Sequence, residues 1–476
     1  MKILYISVEC FPFIKTGGLG DVAYSFPKTL KKLGNDIKVF LIYSDSISEK
    51  YKEKMRSAYF FSLDLNGKSF PVEIFSLVMD DIEYLFFNDP SFKNIERTAY
   101  LDLHENSTFY LIFNKAISKF LELSAFKPEI IHANDWHTGI LPLFLSGEKN
   151  ENSKLKVVFT IHNLQYQGVF GASNVLKYLN EKERSNSLLS EIISNDIFNF
   201  MKAGIISSDI VTTVSETYKE EIKQPMQGMG LESVLNKYNS KLRGIINGLD
   251  YDIFNPSIDK YIEAKYDVSN YKEAKLINKI ALQKELNLEQ NKKIFLIGMI
   301  SRLANQKGID LVLNSLWNIV KDNDIQFVVL GTGDVNYESN LKSFGNKYPR
   351  NFKFINKFSD ELSHKLYAGL DAFLIPSLFE PCGLTQLISL KYGCIPIARA
   401  TGGLIDTITS YNDKQENANG FLFKEYTPEA LYKSVKLAKN LFYNNKPEWN
   451  KLIYFGMDQR FGWEEIAKKY LESIYK

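Results

Sequence analysis

Cysteine and histidine are scarce in this sequence, with three of the first and five of the second among 476 residues. Cys10, Cys382 and Cys394 are too few and too widely spaced for a disulfide framework or a thiolate zinc cage. A reducing, cytoplasmic setting suits them. Long apolar runs are also missing. No window approaches the roughly 18 apolar residues of a membrane span. The short run Ile3–Val8 leads into glycine-rich sequence instead of the small-residue cleavage site of a signal peptide. Nor is there an excess of one charge: 58 Lys and Arg against 56 Asp and Glu leave a formal net charge of +2. That balance argues against bulk electrostatic capture of nucleic acid or of an anionic membrane, so neither is expected as a partner. Proline and glycine, at 14 and 27 residues, are too sparse for a disordered chain.

Aromatic rings are plentiful, at 14% of residues, and serve either as core or as platforms for sugars and bases. A chain of this length exceeds a single hydrophobic core, so two domains are expected. Short apolar, β-branched runs alternate with segments of helical period. The first series is Ile3–Val8, Asp36–Ile42, Glu129–Ala133, Val157–Ile161, Ile210–Thr213 and Arg243–Ile246. The second is Lys293–Met299, Gln326–Leu330, Phe352–Ile355, Ala372–Ile375 and Ile395–Ala398. Continuous apolar strands of this kind are buried on both faces of a parallel sheet, and helices such as Asp21–Leu33 and Phe109–Leu123 supply the crossovers. The fold class is α/β, with two Rossmann-like domains. Their boundary is expected near Asn247–Pro256, and the polar, charged, turn-rich stretch Asn255–Leu288 reads as a linker or domain edge. The lysine-rich stretch Lys50–Arg56 reads as a solvated helix face.

Ligands of open α/β sheets bind at the carboxyl ends of the strands, and the unusual residues fall in those loops. Lys15-Thr16-Gly17-Gly18-Leu19-Gly20-Asp21-Val22 opens a helix after the first strand, where glycines allow close backbone approach and free N–H groups face an anion. It reads either as that or as a tight turn. His132-Ala133-Asn134-Asp135-Trp136-His137-Thr138 pairs two histidines with a carboxylate, yet no third metal ligand stands at a sensible spacing. Asp135 is the better candidate, as a carboxylate near an acceptor hydroxyl. His162, in Thr160-Ile161-His162-Asn163, serves as a hydroxyl partner, a base or a strand cap. Arg302 and Lys307, five apart in Ser301-Arg302-Leu303-Ala304-Asn305-Gln306-Lys307-Gly308, suit one diphosphate as fork and point charge. Glu380, in Ser377-Leu378-Phe379-Glu380-Pro381-Cys382-Gly383-Leu384-Thr385, precedes a second helix start whose N–H groups suit another anion. Cys382 has no sequence-adjacent histidine to activate it as a nucleophile. Thr401-Gly402-Gly403-Leu404 adds one more glycine turn. Two anion-friendly turns, paired cations and carboxylates point to a sugar nucleotide.

These motifs closely resemble those of bacterial glycogen synthases and plant starch synthases, a family of retaining, ADP-glucose-dependent glucosyltransferases of the GT-B type. Matching segments run from Lys15–Val22 to Glu380–Gln386, with Thr213-Val214-Ser215, Ile246-Asn247-Gly248-Leu249-Asp250 and Leu330-Gly331-Thr332-Gly333-Asp334 between them. The tail Phe461-Gly462-Trp463 resembles the start of the family's last helix, which returns to the first domain. The resemblance implies domains of 1–247 and 248–456 facing a central cleft, and a returning helix within 457–476.

It further implies transfer of glucose from ADP-glucose to the nonreducing 4-hydroxyl of an α-1,4-glucan such as glycogen, with no cofactor and no metal. Lys15 and the Gly18 backbone would contact the nucleotide sugar, Arg302 and Lys307 its phosphates, and the N–H groups of Leu384 and Thr385 the distal phosphate. Glu380, Cys382 and Gly383 would grip the glucose hydroxyls, with His162 and Asn247 at the 6-hydroxyl. Asp21 and Asp135 match acidic positions important for activity. Tyr100 matches an aromatic on the sugar side, and Phe358 stands where a tyrosine often stacks on adenine. Ile388 replaces a second glutamate that contacts ribose in many retaining relatives. Another GT-B transferase, an inactive glucan-binding protein and a nicotinamide oxidoreductase are the rival readings. The last lacks the dinucleotide fingerprint. Oligomeric state is left open by the sequence.

Overall fold

The structure, a computed structural model, describes residues 1–90, 104–146, 155–413 and 416–476, with side chains omitted for 104–106. The chain forms two units, Met1–Gly248 with Trp463–Lys476, and Leu249–Gly462. It passes between them at Gly248/Leu249 and again at Gly462/Trp463.

Twelve strands belong to the first unit: β1 (Lys2–Ile6), β2 (Asp36–Ile42), β3 (Arg56–Leu65), β4 (Lys68–Met79), β5 (Ile82–Asn88), β6 (Ile130–Asn134), β7 (Lys156–Ile161), β8 (Val169–Gly171), β9 (Ile193–Ser194), β10 (Ile197–Asn199), β11 (Ile210–Thr213) and β12 (Leu242–Gly244). Nine of them form one sheet, in the order β12-β11-β7-β6-β1-β2-β5-β4-β3. The seven strands from β12 to β5 run parallel. β4 and β3 extend this sheet antiparallel. The remaining three make a small separate sheet.

β1 is the switch point of the main sheet, because the chain proceeds to β2 on one side and returns through β6 on the other. Crevices open at such points between the carboxyl ends of neighbouring strands. In this unit the crevice is bordered by residues 7–17 and 135–138.

The second unit holds β13 (Phe295–Ile300), β14 (Ile325–Leu330), β15 (Phe352–Ile355), β16 (Ala372–Ile375), β17 (Ile395–Arg399) and β18 (Phe421–Phe423). All are parallel, in the order β15-β14-β13-β16-β17-β18. The switch lies between β13 and β16, which places residues 301–308 beside 376–384. The residues of β14 are buried throughout and those of β13 nearly so, as a parallel sheet covered on both faces requires.

The last helix, Trp463–Ser473, packs on the first unit. Its Trp463 and Tyr470 rings meet Phe26 of the helix Gly18–Lys32 at centroid distances of 5.2 and 4.7 Å. Truncating a fully buried ring such as Phe26 costs about 3–5 kcal/mol, so the returning helix is fastened by its aromatics.

Two local expectations are corrected. Within Lys50–Arg56 only Glu49–Lys52 is helical, and Arg56 already begins β3. That strand sits at the sheet edge and exposes polar and apolar residues alike, Phe60 among them, so its alternation is hard to read. The polar stretch 255–288 is not merely a linker, since it contains the helix Tyr271–Glu285. Lys275 and Lys279 of that helix are buried, with their ammonium groups donating to backbone carbonyls and, for Lys279, to Asp371. Charged residues thus disguise a core-facing surface.

Candidate active site

In the first unit the chain leaves β1 through Ser7-Val8-Glu9 and turns back through the glycine-rich segment into the helix Gly18–Lys32. Glu9 is buried, at 2% exposure. Its Oε2 accepts the N–H groups of Thr16 and Gly17 at 3.0 and 2.9 Å, and its Oε1 accepts the Thr16 hydroxyl. Two N–H groups of the turn, those of Thr16 and Gly17, are thus spent on a protein carboxylate. Lys15 pairs with Asp21 at 2.8 Å, with both side chains partly exposed. A Cβ added to Gly20 would lie 3.1 Å from the Lys15 side chain, so a side chain there would crowd that lysine.

Asp135 follows β6 with φ 55° and ψ 177°, a strained backbone that few residues other than glycine adopt. Its Oδ1 accepts the N–H groups of His162 at 2.7 Å and Asn163 at 3.3 Å, which ties the loop after β6 to the loop after β7. Burial pushes its carboxyl up to about 7, against the lowering effect of those two donors and with a further push from Glu9.

His162 Nε2 lies 2.9 Å from Asn134 Oδ1. The Asn134 amide nitrogen donates to Ile6, so Oδ1 is the acceptor and the His162 proton is assigned to Nε2. Burial pulls this imidazole down to about 3, so it is neutral near pH 7. His132 also lies in the interior, its ring nitrogens 2.6 Å from the Tyr475 hydroxyl and the Thr160 hydroxyl. Both are thereby engaged in the interior of the unit. Among the described residues no group of three or more His, Cys, Asp or Glu is arranged to hold a metal ion. Asn247 lies half-buried in the segment beyond β12, at the same carboxyl edge. Tyr100 lies outside the described residues.

In the second unit Glu380 is 6% exposed at the carboxyl end of β16. Lys307 donates to both its oxygens, at 2.9 and 2.7 Å, and the Ser377 hydroxyl donates to Oε2 at 2.8 Å. Expected beside a diphosphate, Lys307 thus rests on the carboxylate of the neighbouring loop. Arg302 is exposed on the same loop as Lys307.

Backbone contacts lock these loops together. Gly308 has φ 71°, and a Cβ there would stand 2.1 Å from the Pro376 carbonyl oxygen. Gly403 donates its N–H to Glu380 O at 3.1 Å, and a Cβ on it would lie 2.2 Å from Cys382 O. Cys382 is buried. Gly383 has φ 75° and leads into Leu384, the N-cap of the helix Thr385–Lys391. Gln386, fully buried, donates to the carbonyls of Cys382 and Gly383 and holds this turn. Phe358, 75% exposed, projects from the loop after β15.

The structure therefore groups Lys15, Gly18, Asp21, Asp135, His162 and Asn247 at one carboxyl edge, and Arg302, Lys307, Phe358, Glu380, Cys382, Gly383, Leu384 and Thr385 at the other. Sequence reasoning missed Glu9, Ser377 and Gln386, which act on neighbours in space. A charged residue directly after the apolar run Ile3–Val8 was the available signal for Glu9.

Residues 2–237 match the family model described as the starch synthase catalytic domain, and residues 278–448 the one for glycosyl transferases group 1. The chain is 41% identical to a glycogen synthase of Lachnospira eligens, over 100% of this chain and 99% of that protein. It belongs to the glycogen and starch synthase family of glycosyltransferases. A second member, a glycogen synthase of Clostridium novyi, is 42% identical over 99% of this chain and 98% of its own length. The catalytic domain of starch synthase IV from Arabidopsis thaliana, solved bound to ADP and acarbose, superposes with a TM-score of 0.90. It is 30% identical over 99% of this chain and 98% of that one. The family's α/β fold with two Rossmann-like units is thus the fold of this chain. A sucrose-phosphate synthase from Thermosynechococcus elongatus, 17% identical with a TM-score of 0.63 over 99% of this chain and 97% of its own, shares the fold alone. Among the described residues no helix is long and apolar enough to cross a membrane.

Proposed function

We propose that this family member transfers glucose from ADP-glucose to the nonreducing 4-hydroxyl of an α-1,4-glucan, with retention at the anomeric carbon. The observation that carries this reading is the buried Glu380 carboxylate, held by Lys307 and Ser377 directly ahead of the Cys382–Thr385 turn. A carboxylate so fixed offers oriented acceptors to sugar hydroxyls, and the turn's N–H groups face an anion. The starch synthase solved with ADP and acarbose supports a nucleotide donor and a saccharide acceptor.

Arg302 and Lys307 stabilise the diphosphate as the glycosidic C1–O bond breaks. Leu384 and Thr385 receive its distal phosphate, and Phe358 stacks on the adenine. Glu380, with the backbone of Cys382 and Gly383, orients the glucose. Lys15 and Gly18 contact the nucleotide sugar, and Asn247 and His162 reach its 6-hydroxyl. Asp135 keeps the His162 loop in place, and Asp21 keeps Lys15.

A double displacement needs a free carboxylate as nucleophile. In this reading Glu380 is committed to orienting the glucose hydroxyls, and a front-face reaction is favoured. In it the acceptor oxygen bonds to C1 as the diphosphate departs, and the acceptor proton passes to a diphosphate oxygen. The two cations take the place that a divalent metal fills elsewhere, so chelator is expected to leave turnover intact. The buried thiols of Cys10, Cys382 and Cys394 accord with a cytoplasmic location.

The test is incubation with labelled ADP-glucose or UDP-glucose and glycogen. Polymer labelling from ADP-glucose, removable by an α-1,4-specific amylase, is expected. ADP-glucose giving no polymer, or a glucosyl–Glu380 adduct trapped under slow turnover, overturns the donor or the mechanism respectively.

A further inference from the structure

We infer that Glu9 is a positioning residue for donor binding: its carboxylate fixes the Thr16–Gly17 turn that presents Lys15 and Gly18 to the nucleotide sugar. This rests on the reading of Lys15 and Gly18 as donor contacts, and it concerns a residue outside every motif used to reach that reading.

The geometry is specific. Glu9 is buried and takes three donors from two consecutive residues: two backbone N–H groups and the Thr16 hydroxyl. A buried carboxylate is retained only where such hydrogen bonds offset its desolvation, and bonds to an ionised acceptor are about twice as strong as neutral ones. Those donors belong to the residues just before Gly18. The turn between β1 and the helix Gly18–Lys32 has no side-chain cap at Gly17, so Glu9 does from outside what a capping residue does from within. The same charge reaches the next loop, where it adds to the forces that keep Asp135 protonated. Four other groups bear on Asp135: the backbone N–H groups of His162 and Asn163, and the hydroxyls of Tyr5 on β1 and Tyr218 on the helix Glu216–Glu221. One carboxylate thus holds the shape of the donor turn and adds, behind burial, to the rise at Asp135.

Glu9→Gln tests this. The amide oxygen keeps the two backbone N–H groups and its NH2 donates to the Thr16 hydroxyl, so the charge is removed without loss of volume and the bonds fall to neutral strength. The KM for ADP-glucose is expected to rise about 10-fold or more, the size of losing a charge-assisted bond, with kcat changing far less. The pH dependence of kcat/KM is expected to shift to lower pH, because the charge that raised Asp135 is gone. A role confined to stability moves neither quantity.

Thr16→Val removes only the exposed hydroxyl donor, and should raise KM about 2–5-fold while leaving the pH profile in place. It serves if Glu9→Gln does not fold. Wild-type protein inactive with ADP-glucose refutes the underlying donor reading. Active wild type, with both variants retaining its KM and pH profile, refutes the role of Glu9.

Discussion

Removing the cation from the Lys307–Glu380 pair in a Lys307→Met variant strands a carboxylate that is 6% exposed, leaving Ser377 as its remaining donor among the three contacts described. Breaking a buried ion pair from one side costs about 3–5 kcal/mol when the other charge is left behind. The lysine side chain is itself 21% exposed, so water reaches part of the site and the lower end, about 3 kcal/mol, is the better figure. For a unit of roughly 200 residues that corresponds to a fall in Tm of about 6–12 °C.

The loss arises from the stranded charge. Lys307→Met combined with Glu380→Gln removes the stranded charge and should recover more than half of the deficit at pH 8. Differential scanning calorimetry of the two variants at pH 8 decides the matter. A single variant as stable as wild type at pH 8, or a double variant no better than the single, refutes the coupling. Kinetics give an independent reading, since both variants should lose about 10²–10³ in kcat through the missing leaving-group charge.

Arg302→Ala removes an exposed side chain, so Tm should move by less than about 2 °C while kcat falls about 10²–10³-fold; full turnover at saturating donor rules out its diphosphate role. Asp135, raised to about 7 by burial, contributes stability that is present below about pH 4 and lost as pH rises through 7. Asp135→Asn, which keeps the size of the side chain, should flatten that decline in urea titrations between pH 5 and 8 and abolish the kcat/KM inflection near 7. Phe358→Ala should raise the KM for ADP-glucose about 10-fold with stability unchanged, because the ring is exposed, and Phe358→Tyr should restore it. A KM unaffected by the alanine leaves adenine stacking without support.

The features legible from the chain alone were those that local chemistry dictates. Continuous apolar runs such as Phe295–Ile300 and Ile325–Leu330 announced parallel strands, since burial on both faces leaves little room for polar residues. Loops with Lys15–Asp21, Arg302–Lys307 and Glu380–Thr385 announced the site, because glycines, cations and carboxylates cluster at strand ends only where a ligand or a tight turn demands them. The edge strand β3 and the helix Tyr271–Glu285 stayed hidden, because one is half-solvated and the other satisfies its lysines through distant carbonyls.

Only the tertiary structure decided which partners these residues have. Strand order brings 301–308 beside 376–384, and so sets Lys307 on Glu380 across 73 residues of chain. It brings Asp135 to the His162 loop and turns Glu9 onto Thr16 and Gly17. Spacing along a chain reports which groups are available. The charge state and orientation of each depend on desolvation and on hydrogen bonds from loops that only the sheet order makes neighbours.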